Sequence, residues 1–71
     1  MIEMTYVDSS NIQSIGYDTA AMELHIQFLK TGLYVYREVP KEVFDELLNS
    51  DSKGSYFNRN IKNVYTNFEK R

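Results

Sequence analysis

The sequence predicts an α+β domain: a three-stranded antiparallel meander followed by two α-helices packed on one face of the sheet. Three observations carry this expectation. Apolar and polar residues alternate through much of the chain before residue 39, the period of a half-buried strand. The alternation stops at Pro40, the only proline. Beyond it, apolar residues recur every three or four positions, the period of an amphipathic helix.

Each element has its own local signal. Ile2, Met4 and Tyr6 alternate, so residues 2–7 either extend the sheet or fray. Asn11 to Tyr17 forms a strand with Ile15 and Tyr17 on one face, and Asp18-Thr19-Ala20-Ala21 makes the connection. Met22, Leu24, Ile26 and Phe28 then face one way while Glu23, His25 and Gln27 face the other. Lys30-Thr31-Gly32 turns the chain, with Gly32 free to take positive φ. From Leu33 to Glu38, Tyr34 and Tyr36 share one face and Leu33, Val35 and Arg37 the opposite one. A three-residue loop places Phe28 opposite Tyr34 and Ile26 opposite Tyr36; a two-residue loop would bury the other face of the second strand.

Pro40 suits the first turn of a helix, where its missing N–H costs nothing. Val43, Phe44, Leu47 and Leu48 make the apolar stripe of that helix, and Glu42, Asp45 and Glu46 take its solvent side. Asn49-Ser50-Asp51-Ser52 ends it and offers caps for the next helix. Phe57, Ile61, Val64, Tyr65 and Phe68 then follow helical spacing, with Ser55, Arg59, Lys62, Asn63, Thr66 and Lys70 opposite. Asn58, Asn60, Asn63 and Asn67 are weak helix formers, so this helix should weaken after Asn63. Leu24, Ile26, Phe28, Phe44, Leu47, Phe57 and Ile61 should form the core.

Composition narrows the function. Seventy-one residues make one domain, 1–71, and a chain this short buries only roughly 60% of its extended surface. With no cysteine, neither a disulfide nor a thiolate metal site is expected, and the composition suits a reducing cytoplasm. No stretch approaches the roughly 20 apolar residues of a membrane helix, and no basic-then-apolar leader stands at the start. The formal charge of −2 conceals a gradient: −4 over residues 1–29, −2 over 30–52 and +4 over 53–71. The basic last segment is either a contact for a polyanion or an internal match for the acidic remainder.

Three stretches together are similar to a known family. They are Ser9-Ser10-Asn11-Ile12 with Ile15-Gly16-Tyr17-Asp18; Leu24-x-Ile26-x-Phe28 with Gly32-x-Tyr34-x-Tyr36-x-x-Val39-Pro40; and Ser52-Lys53-Gly54-Ser55-Tyr56-Phe57-Asn58-Arg59-Asn60-Ile61, followed by Tyr65. Over about residues 9–65 the chain resembles the KTSC domain, named for its occurrence at the C-terminus of some lysyl-tRNA synthetases. The resemblance implies an antiparallel sheet followed by two helices. It also implies a module found both as a synthetase appendage and as a small bacterial or phage protein. It brings no known reaction, and by association it points to RNA, tRNA in particular.

The residues themselves argue against catalysis. His25 is the only histidine and sits on the polar face of a strand, where a solvated side chain is expected. Ser9 and Ser10 beside Asp8 make a turn more readily than a nucleophile, since short polar runs bond their own backbone. Glu42, Asp45 and Glu46 lie on a solvent face near a helix start, where acids suit the dipole. No enzyme activity, cofactor or metal is expected. Ser52-Lys53-Gly54-Ser55 is the most suggestive stretch, because it opens a helix whose outward N–H groups attract anions. Arg59 lies one turn beyond Ser55. These residues, with Lys62, either hold a phosphate or serve the fold, with Ser52 or Ser55 capping and Gly54 allowing close packing.

Two function classes follow. One is a non-catalytic accessory module contacting RNA through the basic face of the last helix. The other is a protein-interaction module, such as a homodimer, using the second sheet face or an edge strand.

Overall fold

The structure is a computed structural model that describes residues 2–71. It contains the predicted sheet and two helices, but the sheet has five antiparallel strands in sequential order rather than three. These are β1 (Met4–Tyr6), β2 (Ile12–Asp18), β3 (Glu23–Phe28), β4 (Gly32–Tyr36) and β5 (Phe68–Lys70), with α1 (Lys41–Asn49) and α2 (Lys53–Asn60) between β4 and β5. The two extra strands cover the outer edges of β2 and β4, whose backbone groups would otherwise lack partners. Of residues 2–7, Met4–Tyr6 therefore extend the sheet.

The β3–β4 loop has three residues, Leu29 to Thr31, one position earlier than the Lys30–Gly32 turn. Gly32 closes the pair opposite Phe28 with φ +100°, so its positive φ was correctly anticipated while its place in the loop was not. The register consequently differs by two: Ile26 faces Tyr34 and Leu24 faces Tyr36. An even shift preserves which side chains are buried. In β2, a bulge between Ile12 and Ser14 lets Ile12 and Ile15, three apart, both reach the core. The Asp18 carboxylate accepts from the N–H groups of Ala20 and Ala21 and shapes the β2–β3 turn.

Pro40 precedes α1 as its N-cap residue, in extended backbone at φ −64° and ψ 151°. Leu47 is fully buried, and Val43, Phe44 and Leu48 pack against the core. Phe44 stacks on Tyr17 with ring centres 5.5 Å apart, and the Tyr17 hydroxyl donates to the Val39 carbonyl. Burial first, then the Glu42 carboxylate, raises the Tyr17 hydroxyl above its ordinary pKa.

Of the expected core, Leu24, Ile26, Leu47, Phe57 and Ile61 are buried, while Phe28 and Phe44 are partly buried around it. Ile12, Ile15, Tyr36 and Val39 complete it. The last helix is the main correction. It ends at Asn60, a further turn runs through Val64, and Phe68 lies on β5 rather than on a helical stripe. The Asn-rich stretch gives the helix little reason to continue, whereas β4 has an open edge to fill. The Arg37 N–H donates to the Asn67 carbonyl at 2.9 Å and the Arg71 N–H to the Leu33 carbonyl at 2.7 Å. Val64, assigned to the stripe, is exposed.

The sheet face away from the helices is not bare. His25, expected in solvent, is only 8% exposed, between Gly16 and Val35 of the flanking strands. Its Nε2 lies 3.4 Å from Glu23 Oε1, and Glu23 Oε2 is 3.4 Å from Arg37 Nε. Arg37 in turn pairs with Glu69 at 2.7 Å, and Glu69 with Arg71 at 3.4 Å. The hydrogen bond from Arg37, then the Arg71 charge, holds the Glu69 carboxyl below the usual range.

Candidate functional site

The Ser52–Ser55 stretch opens α2 as the spacing predicts, and Ser52 occupies the N-cap position. Its hydroxyl makes no capping bond. The neighbouring Ser50 hydroxyl organises the turn instead, accepting from the Ser52 N–H at 3.2 Å and donating to the Ser52 carbonyl at 3.0 Å. Lys53 turns back, its ammonium donating to the Ser50 carbonyl at 2.9 Å.

Gly54 serves a close approach. A Cβ there would stand 3.0 Å from Asn11 Oδ1, at the other end of the sequence's quoted motifs. Ser9 holds this second partner: its hydroxyl donates to Asn11 Oδ1 at 3.1 Å and accepts from the N–H groups of Asn11 and Ile12 at 3.4 Å each. The Ser9-Ser10-Asn11 turn and the Ser52–Ser55 helix start therefore form two walls of one polar groove of about 390 Å³. Asp8 and Asp51 also line it, so its charged side chains are two carboxylates and one ammonium. Such a groove does not favour an anion.

The six residues singled out in the sequence do not converge. Ser52, Lys53, Gly54 and Ser55 line the polar groove. Arg59 is exposed on α2, with its Nε 3.4 Å from the Ser55 carbonyl. Lys62 lies on a different groove of about 520 Å³, floored by Phe28, Tyr34, Tyr36, Phe57 and Phe68. Asn11 and Asn58 border both grooves, and Asn63 borders the second.

The aromatic floor is built by the sheet and α2 together. Phe57 meets Phe28 and Tyr36 edge to face, with ring centres 5.2 and 5.7 Å apart. Phe68 stacks on Tyr36 at 5.2 Å and tilts against Tyr34 at 5.9 Å. Burial, then Tyr34, raises the Tyr36 hydroxyl pKa. Sequence reading missed this groove because it put Phe68 on the far end of a helix. The alternation of Tyr34 and Tyr36 with Phe28 did signal that these rings share a face.

Among the described residues, no cluster of three or more His, Cys, Asp and Glu side chains is arranged to hold a metal ion. No helix among the described residues is long and apolar enough to cross a membrane.

Residues 8–65 match the family model of the KTSC domain. A KTSC domain protein from Yersinia pestis of known crystal structure is 35% identical and superimposes with a TM-score of 0.95, covering 100% of this chain and 99% of that one. A protein of Tsukamurella paurometabola is 44% identical over 59 residues, 83% of this chain and 88% of its own length. The lysine–tRNA ligase of Nostoc punctiforme is 34% identical over 58 residues, 82% of this chain but 10% of the ligase. A family model spanning most of the chain and a near-complete structural match lead to one conclusion: the chain belongs to the KTSC domain family.

Proposed function

We propose that the domain is a non-catalytic accessory module that makes a weak contact with RNA through the cations of its last third. The observation that carries this reading is how those cations are left by the fold. Among the described residues, no carboxylate of residues 2–52 forms an ion pair with any cation of residues 53–71. Arg71 pairs with Glu69, two residues before it, and Lys53 and Arg59 bond backbone carbonyls. The charge gradient is thus not spent on an internal match, and the segment keeps its attraction for a polyanion. A homologous segment within lysine–tRNA ligases supports an RNA setting for the module.

Arg59→Glu combined with Lys62→Glu should abolish binding to a labelled tRNA and leave the fold intact, since both side chains are exposed. With about three phosphate contacts, log affinity should fall with log salt at a slope on the order of −2 to −3, with little dependence on base sequence. Fluorescence anisotropy with tRNA and duplex DNA across a salt series measures both. A double variant that binds as tightly as the parent, or no binding to either at low salt, would end this reading. The alternative of edge-to-edge association has less support. β1 and β5 cover the edges that a three-stranded sheet would expose, and the new edges are three residues long, with Glu69 and Lys70 on β5.

A further inference from the structure

We infer that the aromatic groove between α2 and β5 is a seat for unpaired bases, so that the domain selects single-stranded over duplex nucleic acid. This rests on the proposed RNA contact and gives it a place and a substrate class. Phe68 is 47% exposed on an edge strand, stacked on Tyr36, and Phe28 and Tyr34 beside it are only partly buried. A domain with so small a core leaves ring surface open here, at the mouth of a groove of about 520 Å³. That volume suits a ligand the size of a nucleotide.

The rim has the polar groups that a base and its phosphate require. The exposed amides of Asn11, Asn58 and Asn63 can each donate to and accept from a base edge. Lys62 lies on the rim, and Lys30 lines an adjoining hollow of about 280 Å³ that shares Asn11, Phe28 and Thr31 with the groove. Lys70 pairs with Tyr34 across β4 and β5, on the same sheet face. No carboxylate lines the groove or the hollow among the described residues, although the protein is acidic overall. Rings, amides and ammonium groups without carboxylates complement a phosphodiester chain with splayed bases. A duplex keeps its bases stacked on each other and cannot offer their faces to Phe68.

The test uses fluorescein-labelled octauridine and an RNA duplex with the same number of phosphates, at low salt, with the full chain. The single strand should bind about tenfold more tightly than the duplex. Phe68→Leu, which keeps apolar packing but removes the ring, should cost the single strand about tenfold and the duplex almost nothing. On the unaltered protein, the ring proton resonances of Phe68 and Tyr34 should shift when octauridine is added, a readout that does not depend on how well the variant folds. Equal affinities, with unmoved rings and with loss of both ligands only in the Arg59→Glu, Lys62→Glu variant, would overturn the groove and leave the polyanion contact standing. Absence of binding to either ligand would overturn both. Ring shifts produced by an apolar peptide but not by octauridine would assign the groove to a protein segment and also overturn the inference.

Discussion

The two grooves that meet at Asn11 and Asn58 flank the same helix, yet their chemistry diverges. The one at the start of α2 is lined by the most distinctive sequence stretch, Ser52–Ser55, and contains Asp8 and Asp51. The one at the end of α2 is lined by rings, amides and Lys62. The difference teaches that a distinctive motif can report a backbone constraint rather than a ligand. Gly54 is where α2 meets the Asn11 turn, and Lys53 is occupied with the Ser50 carbonyl. The surface better suited to an anion is assembled from scattered residues that no single motif announces.

The largest expected effect tests whether the aromatic groove is also part of the core. Phe57 is 6% exposed and touches Phe28 and Tyr36, so it supports both. Phe57→Ala should destabilise by about 3–5 kcal/mol, enough to unfold much of a domain this small. Ser55→Ala, at an exposed position on the polar groove, should change stability by less than about 0.5 kcal/mol. Urea denaturation of the two variants compares them directly. A Phe57→Ala midpoint near that of the parent would mean that the aromatic groove is not anchored in the core.

A pair of glycines sharpens the claim that Gly54 answers a backbone constraint. At Gly16, a Cβ would stand 2.7 Å from the Glu3 carbonyl oxygen and 2.6 Å from Met4 Sδ, so the strand β1 itself must move. Gly16→Ala should cost about 1–3 kcal/mol. At Gly54 the obstacle is only the rotatable amide of Asn11, and alanine returns some helix propensity. Gly54→Ala should therefore change stability by less than about 1 kcal/mol while displacing Asn11 from its seat. Thermal melts measure the costs. A Gly54→Ala loss as large as that of Gly16→Ala would show that the Asn11 contact is rigid.

How much of this was legible follows from where each signal is local. The alternation through Leu24–Phe28 and Leu33–Tyr36 states which face of each strand is buried, because parity alone decides that, whereas the register, two residues away from the expected one, was not stated by it. The stripe of Val43, Phe44, Leu47 and Leu48 likewise fixes α1. The C-terminal strand was not legible, since Phe57, Ile61, Val64, Tyr65 and Phe68 satisfy a helical period and the competing demand, the open edge of β4, is a property of distant residues. The same error hid the aromatic groove. His25 was misplaced for a related reason: alternation marks the second face as polar but cannot show that Val35, Glu23 and Arg37 crowd it. Of the candidate site, the positions of Ser52–Ser55 at a helix start were readable, whereas their separation from Lys62 by the Asn11–Asn58 divide required the fold.

A smaller effect than that of Phe57→Ala or Gly16→Ala concerns the bond that links α2, and with it both grooves, to α1. The Tyr56 hydroxyl donates to Glu46 Oε1 on the solvent side of the helix pair. Burial, then this hydrogen bond and the Glu46 charge, push the Tyr56 pKa up to about 12 from 10.0. A folded-state pKa above the unfolded value means that the neutral hydroxyl is favoured by folding. Its contribution is therefore fully present below pH 10 and is lost as pH rises through about 12. Tyr56→Phe should cost about 1 kcal/mol at pH 7, the ordinary net worth of a hydrogen bond with water in competition. The difference between parent and variant should be constant up to about pH 10 and shrink beyond it, because phenylalanine has no proton to lose. Denaturation midpoints of the two proteins from pH 7 to 12 measure this, with the other five tyrosines cancelling in the difference. A difference that stays constant through pH 12 would show that Tyr56 makes no proton-dependent link between α2 and α1.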